Sequence, residues 1–295
     1  MPSEQMLELI AAKRSNPYGA HKSVEELRQE SDSREDNSLL PAGTTFAGVE
    51  LNGTPGEWID VPGARADRVV FFIHGGGYYR GNVSSTRSAA AEMGRACRAR
   101  ALSIGYRKAP EHPFPAAIDD VLAGYQGLLA TGVSSSQVVV GGISAGGGLT
   151  AALLLALKRD GGAMPAGAVP ISPWLDLTQT AETYTSKADA DPSISKDYLD
   201  RMAGYYLGGA DARTPLASPL FGDLTDLPPQ LVQVGAAETL MDDSVAYARA
   251  LGEADSPVSL EIYPGAVHGW HMSPHLPETQ QAMRSIGSFF DDVVG

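Results

Sequence analysis

The chain has 295 residues, enough to bury an active site in one α/β domain with an accessory element and few for two independent domains. Its 22 Lys and Arg against 35 Asp and Glu give a net charge of −13, which repels nucleic-acid phosphates and anionic membrane surfaces, so no nucleic acid is expected as a partner. A single cysteine, Cys97, excludes an intrachain disulfide and a cysteine-based metal site.

Residues 1–22 are polar and charged throughout and lack the apolar stretch of a secretory signal. The longest apolar run, 149–157, falls far short of the roughly 20 residues of a membrane-spanning helix. A cytoplasmic protein without a membrane span is expected. Residues 1–43 read as two helices, one carrying Met6, Leu7 and Ile10, the other opening with Ser23 and Glu26 at capping-box spacing. Short β-like runs at 45–51 and 57–61 follow as a hairpin-like antiparallel edge, then the strongly apolar 69–73. Further strand-like runs at 101–105, 137–140, 167–171, 230–234 and 258–263 alternate with longer stretches. Among these, Ile118, Val121, Leu122, Tyr125, Leu128 and Leu129 form one apolar helical stripe.

Apolar strands joined by helical crossovers predict an α/β fold with a mostly parallel sheet covered on both faces. The polar segment 178–216 interrupts the alternation. Together with residues 1–43 it is expected to cap the carboxyl ends of the strands, where open α/β sheets bind ligands, leaving 44–177 and 217–295 as the core.

Three features carry chemistry. Val138-Val139-Val140 runs into Gly142-x-Ser144-x-Gly146 and then a helix rich in Ala and Leu, the strand–turn–helix context of a nucleophile elbow. With 33 glycines a chance match is the competing reading, and the flanking elements weigh against it. Gly146-x-Gly148-x-x-Ala151 loosely fits a dinucleotide fingerprint, but it begins after the strand has ended and no acidic residue follows at the required distance. His74-Gly75-Gly76-Gly77 closes the run 69–73, and the amides of Gly75 and Gly76, with that of Ala145, are candidate oxyanion donors. A plain glycine turn is the bland alternative.

His268 follows the run 258–263 and a Pro-Gly turn as the last plausible base, in the order serine, acid, histidine. Glu238, in the loop after 230–234, is the candidate acid, with Asp242 as the alternative. Asp242 and Asp243 are expected to cap the next helix. His268, His271 and His275 as a metal cluster is disfavoured, because the Pro- and Gly-containing loop 269–277 cannot present them from one helix. Neither metal nor cofactor is expected. Trp174, Tyr184, Tyr205 and Trp270 are candidate pocket residues, with core packing the equal alternative.

Beyond these features, residues 106–117, the runs Ser172-Pro173-Trp174-Leu175-Asp176, Ser218-Pro219-Leu220 and Leu227-Pro228-Pro229, and Tyr263-Pro264-Gly265-Ala266-Val267-His268-Gly269 make the chain, from about Val69 onward, resemble the bacterial hormone-sensitive-lipase-like (family IV) esterases. The resemblance implies the α/β-hydrolase fold, a helical cap, a possible homodimer, and cofactor-independent hydrolysis of small-molecule esters through Ser144, Glu238 and His268. It implies supporting roles near the oxyanion hole for His74 and His112. Glu238 stands where many members have the Asp of Asp-Pro-Leu, and Ile143 where many have an acidic residue or Thr. A short acyl group is expected, because no apolar surface helix suited to a lipid interface is visible. Lactone or amide hydrolysis would use the same triad, and a non-catalytic small-molecule binder could share the fold.

Overall fold

The computed structural model describes residues 1–15, 22–32 and 39–295. Among these, β1 (Thr45–Leu51), β2 (Thr54–Asp60), β3 (Arg65–Ile73), β4 (Ala99–Ile104), β5 (Val138–Ile143), β6 (Gly167–Ile171), β7 (Gln230–Gly235) and β8 (Val258–Tyr263) form one sheet in the order β1-β2-β4-β3-β5-β6-β7-β8. The pairs β1–β2 and β2–β4 are antiparallel and the rest parallel, so the predicted mostly parallel α/β architecture with an antiparallel edge is what the chain forms.

The central strands are apolar on both faces because both are covered. Phe71 and Ile73 of β3 pack with α4 (Ala116–Ala130) and α5 (Ala145–Asp160), whereas Val70 and Phe72 pack with α3 (Arg87–Cys97) and α9 (Pro277–Val294). The predicted stripe on α4 holds: Ile118, Val121, Tyr125 and Leu128 are buried, with Leu122 and Leu129 half-buried beside them. On the α5 side, α8 (Met241–Glu253) adds Tyr247 and Leu251 against Val232 of β7.

Several strands run past their predicted ends, among them β3, which starts at Arg65, and β4, which starts at Ala99. β2 begins at Thr54 because Pro55 and Gly56, poor strand formers by themselves, pair with Glu50 and Val49 at the sheet's edge. β5 continues through Gly141 and Gly142, since Ile143 still pairs with Ile171. A β-carbon on Gly141 would lie 2.6 Å from the terminal methyl of Met93, so that flexible side chain of α3 fills the space beside the strand.

The N-terminal helices are α1 (Glu4–Ser15) and α2 (Val24–Asp32); the parts of the helical reading that fall on 16–21 and 33–38 lie outside the described residues. The capping box forms, with the Glu26 N–H donating to Ser23 Oγ and the Ser23 N–H to Glu26 Oε2. Met6 of α1 is buried against Tyr263 and Trp270, and Arg28 of α2 donates to the carbonyls of Tyr79 and Ala109. Segment 178–216 contains α6 (Thr183–Ser186) and α7 (Lys196–Leu207). Tyr206 of α7 stacks on Tyr78, ring centroids 3.7 Å apart, beside the glycine run that follows β3.

One expectation is corrected. Asp242 and Asp243 do not cap α8; Leu240 occupies that position, and the first turn turns both carboxylates to tertiary partners. Asp242 accepts from the Thr183 N–H at 3.0 Å, while Thr183 Oγ1 accepts from the Asp242 N–H at 3.1 Å. Asp243 is buried and accepts from the N–H groups of Leu175 and Asp176. No helix among the described residues is long and apolar enough to cross a membrane.

Candidate active site

β5 ends at Ile143 and α5 begins at Ala145, so Ser144 alone turns the chain from strand to helix. Its backbone sits at φ 61° and ψ −121°, a region costly for a residue with a side chain and tolerated where the surroundings over-determine it. They do so here: the Ser144 N–H donates to the Ile171 carbonyl at 2.9 Å, and its carbonyl accepts from Gly148 and Trp174. The flanks admit only glycine. A β-carbon on Gly142 would lie 2.4 Å from the Gly146 carbonyl oxygen, and one on Gly146 2.2 Å from that of Ile73.

β3 and β5 are neighbours in register, Ile73 opposite Gly142, so the glycine run after β3 emerges beside the serine. Positions 75 and 76 also require glycine: a β-carbon at Gly75 would lie 2.6 Å from the Ile143 oxygen, and one at Gly76, where φ is 117°, 2.3 Å from the Arg80 oxygen. Ala145 opens α5, whose first-turn N–H groups lack intrahelical acceptors and carry the positive end of the helix dipole. The loop rests on His74, whose ring stacks on Tyr106 at 4.1 Å and holds the Gly75 carbonyl at 2.8 Å from Nδ1. Burial pushes the His74 pKa down to about 4, so the ring is neutral near pH 7 and donates from Nδ1 to that carbonyl. His112 is exposed at the surface.

The loops after β7 and β8 complete the arrangement. His268 Nε2 lies 2.9 Å from Ser144 Oγ, and His268 Nδ1 lies 2.8 Å from Glu238 Oε2. Glu238 is fully buried, and its second oxygen accepts from Ser172 Oγ and from the Gly235 N–H, each at 2.7 Å. A buried carboxylate is tolerated when donors surround it, and here each oxygen has at least one. The two loops are tied together by the Ala236 N–H on the Tyr263 carbonyl and the Ala237 N–H on that of Ala266. Ser172, whose φ is 42°, follows β6 in the run Ser172-Pro173-Trp174, and spacing alone assigned it no part. Asp191 was missed as well. Its buried carboxylate accepts from the N–H of Thr239, the residue after Glu238, at 3.0 Å.

A cavity of about 540 Å³ opens onto Ser144 and His268. Its walls include Gly75 to Gly77, Trp174, Leu9 and Lys13 of α1, Pro192 to Ile194, and Tyr198 and Leu199 of α7. Of the four aromatic residues expected there, Trp174 faces the cavity and three lie outside its lining. Tyr184 instead donates its hydroxyl to Asp243, Tyr205 is half-buried on α7, and Trp270 is fully buried against Tyr263 and His271. The later histidines are kept apart: His271 is buried with Nε2 3.1 Å from Gln233 Oε1, and His275 is exposed. A second cavity, about 560 Å³, lies along β8 between Met1, Tyr263 and Arg284 and contains neither the serine nor the histidine.

The sequence pattern of the α/β hydrolase fold matches residues 70–272, and the structure superposes on an esterase from the bacterial hormone-sensitive lipase family with a TM-score of 0.95, at 40% identity and 100% coverage of both chains. The chain belongs to the α/β-hydrolase family, among its hormone-sensitive-lipase-type esterases. This α/β hydrolase is also similar to an acetyl-hydrolase from Streptomyces hygroscopicus, 42% identical over 248 residues that cover 84% of this chain and 83% of the relative. An esterase from Acinetobacter venetianus is 35% identical over 243 residues, covering 82% and 80%. The esterase EstE5 soaked with p-nitrophenyl butyrate superposes with a TM-score of 0.94 at 37% identity, over 99% of each chain. The hydrolase is an enzyme of the serine-carboxylesterase type.

Proposed function

We propose that this α/β hydrolase cleaves small carboxylic esters with short acyl chains through an acyl-enzyme formed on Ser144. The observation that carries the reading is the unbroken chain Ser144 Oγ, His268, Glu238, with links of 2.9 and 2.8 Å. His268 Nε2 takes the proton as Ser144 Oγ attacks the ester carbonyl. The amides of Gly75, Gly76 and Ala145 receive the negative oxygen of the tetrahedral intermediate, each such donor contributing on the order of 3 kcal/mol. Collapse expels the alcohol, which leaves with the proton from His268. Water, deprotonated by the same imidazole, then releases the acid and restores the serine. Glu238, acting from its buried, triply hydrogen-bonded position, fixes the ring orientation and stabilises the imidazolium.

The short-chain preference rests on the cavity, whose roughly 540 Å³ must hold both the acyl and the alcohol arms. Residues 1–43 with 178–216 serve as its cap, because α1, α7 and residues 192–194 supply one side of the wall. A cytoplasmic setting, in keeping with the lone buried thiol Cys97, belongs to the same reading. The test is a series of p-nitrophenyl esters graded by acyl length, run beside lactones and anilides, with p-nitrophenyl butyrate as the first substrate because EstE5 was soaked with it. Activity should peak at short acyl chains and fall by about 10⁶ in Ser144→Ala. A folded Ser144→Ala enzyme hydrolysing these esters at a substantial fraction of the wild-type rate would overturn the reading.

A further inference from the structure

The segment 191–194 reaches from the polar insertion to both partners of Ser144 at once. Asp191 is only 4% exposed, yet it carries a carboxylate. Oδ1 accepts from the Ser193 N–H at 2.9 Å, closing a tight turn around Pro192, and Oδ2 accepts from the Thr239 N–H at 3.0 Å. The turn then engages the histidine: Ser193 Oγ donates to the His268 carbonyl at 3.0 Å. One turn therefore grips the peptide that follows Glu238 and the peptide of His268, the two residues whose 2.8 Å contact orients the base. Burying a carboxylate with only two backbone N–H partners is costly. An asparagine would present one oxygen acceptor and an amide that repels the other N–H, so the two opposed donors select a carboxylate.

We propose that Asp191 is a positioning residue of the esterase, holding Glu238 and His268 in register through Thr239 and Ser193 and placing a second negative charge behind the imidazole. The proposal rests on the ester-hydrolase reading above. It makes the catalytic rate depend on how the 178–216 segment is seated on the sheet. Burial raises the Asp191 pKa and the nearby His268 lowers it, so the two groups sense each other. Among the described residues Glu238 and Lys13, whose Nζ donates to the His268 carbonyl at 3.3 Å, also face this pair; Arg14 donates to the Asp189 carbonyl, two residues before Asp191, and His271 is held neutral by burial. A negative charge behind the ring favours the imidazolium that forms as Ser144 attacks, and a displaced acid loop lengthens the contact that orients it.

The experiment compares wild type, Asp191→Asn, Ser193→Ala and Asp189→Asn on p-nitrophenyl butyrate across pH, with Ser144→Ala as the blank. Asp191→Asn should lose about tenfold in kcat with KM little changed, and the acid limb of its kcat/KM profile should move to lower pH by about half a unit, because the charge favouring imidazolium is gone. Ser193→Ala should lose roughly threefold in kcat without moving the limb, since the hook is lost and the charge kept. Asp189→Asn, which removes an exposed charge from the same segment, should match wild type on both measures. Wild-type kcat in Ser193→Ala, or an Asp191→Asn enzyme with an unmoved acid limb, would overturn the proposal while leaving the esterase intact. Failure of the ester-hydrolase reading would show itself differently, as a wild type no faster than Ser144→Ala.

Discussion

Ser172 Oγ donates to Glu238 Oε1 at 2.7 Å from the strand next to the acid's own, β6 beside β7. The hydroxyl and the Gly235 N–H together hold one carboxylate oxygen, leaving the other for His268. Ser172→Ala is expected to lower kcat by about tenfold, the equivalent of one charge-assisted hydrogen bond near 1.5 kcal/mol, with KM almost unchanged. Steady-state kinetics on p-nitrophenyl butyrate measure this, and a wild-type kcat would show that Gly235 suffices.

Removing the carboxylate itself should be far more severe. Glu238→Gln leaves the side-chain shape but presents His268 with an amide, and losing the orienting carboxylate costs on the order of 10⁴ in kcat. Asp242 is committed to Thr183, so Asp242→Asn should keep near-wild-type kcat and cost about 1 kcal/mol of stability. The reverse ranking in kinetics and urea melts would transfer the acid's role to Asp242.

Much of this architecture is legible in the residues. β1, β6 and β8 occupy 45–51, 167–171 and 258–263, as their β-branched and apolar runs predict. Ser144, Glu238 and His268 can be picked out because each stands in a loop just beyond a recognisable strand. Local pattern fails where a role depends on distant partners. Ser172 meets Glu238 across 66 positions and Asp191 meets Thr239 across 48, and neither contact leaves a periodic trace. The aromatic residues fail for a related reason: Trp174 and Trp270 are both fully buried, and their sequence neighbourhoods do not reveal that only the first borders the cavity.

Two glycine substitutions should change stability with opposite signs, one at the elbow and one on α7. Gly146→Ala places a β-carbon 2.2 Å from the Ile73 oxygen and 2.6 Å from that of His74, so α5 must move off β3. A cost on the order of 3 kcal/mol and loss of esterase activity are expected. Gly204, exposed within α7 with nothing within 4 Å of an added β-carbon, is the counterpart. Gly204→Ala should raise stability by about 0.5 to 1 kcal/mol through the helix propensity of alanine. Thermal melts of both variants decide it, and a stable, active Gly146→Ala enzyme would remove the reason given for glycine there.

Asp243 supplies a pH dependence of stability. Its Oδ2 accepts from Leu175 N–H at 2.8 Å, Asp176 N–H at 3.0 Å and Tyr184 hydroxyl at 3.1 Å, while Oδ1 has no partner among the described residues. Burial pushes its pKa up to about 7, and the neighbouring Asp176 charge adds to the rise against the lowering effect of the donors. In the unfolded chain the same group titrates near the usual aspartate value of about 3.9. Between these two values the folded state retains a proton that the unfolded state has released, so the unfolding free energy falls as pH rises through the window. Below about pH 4 both states are protonated and the effect is absent; above about pH 7 it is complete, at most roughly 4 kcal/mol. Asp243→Asn keeps an oxygen acceptor for Leu175 and Asp176 but cannot ionise. Urea unfolding of both proteins from about pH 5 to about pH 8 should therefore show the variant gaining on wild type as pH rises, by on the order of 1 to 3 kcal/mol. Parallel curves would mean that the carboxylate is already ionised at pH 5, relieved by a donor to Oδ1. In that case Asp243 would act as a fixed negative anchor for the Trp174 wall of the cavity, without a titrating role.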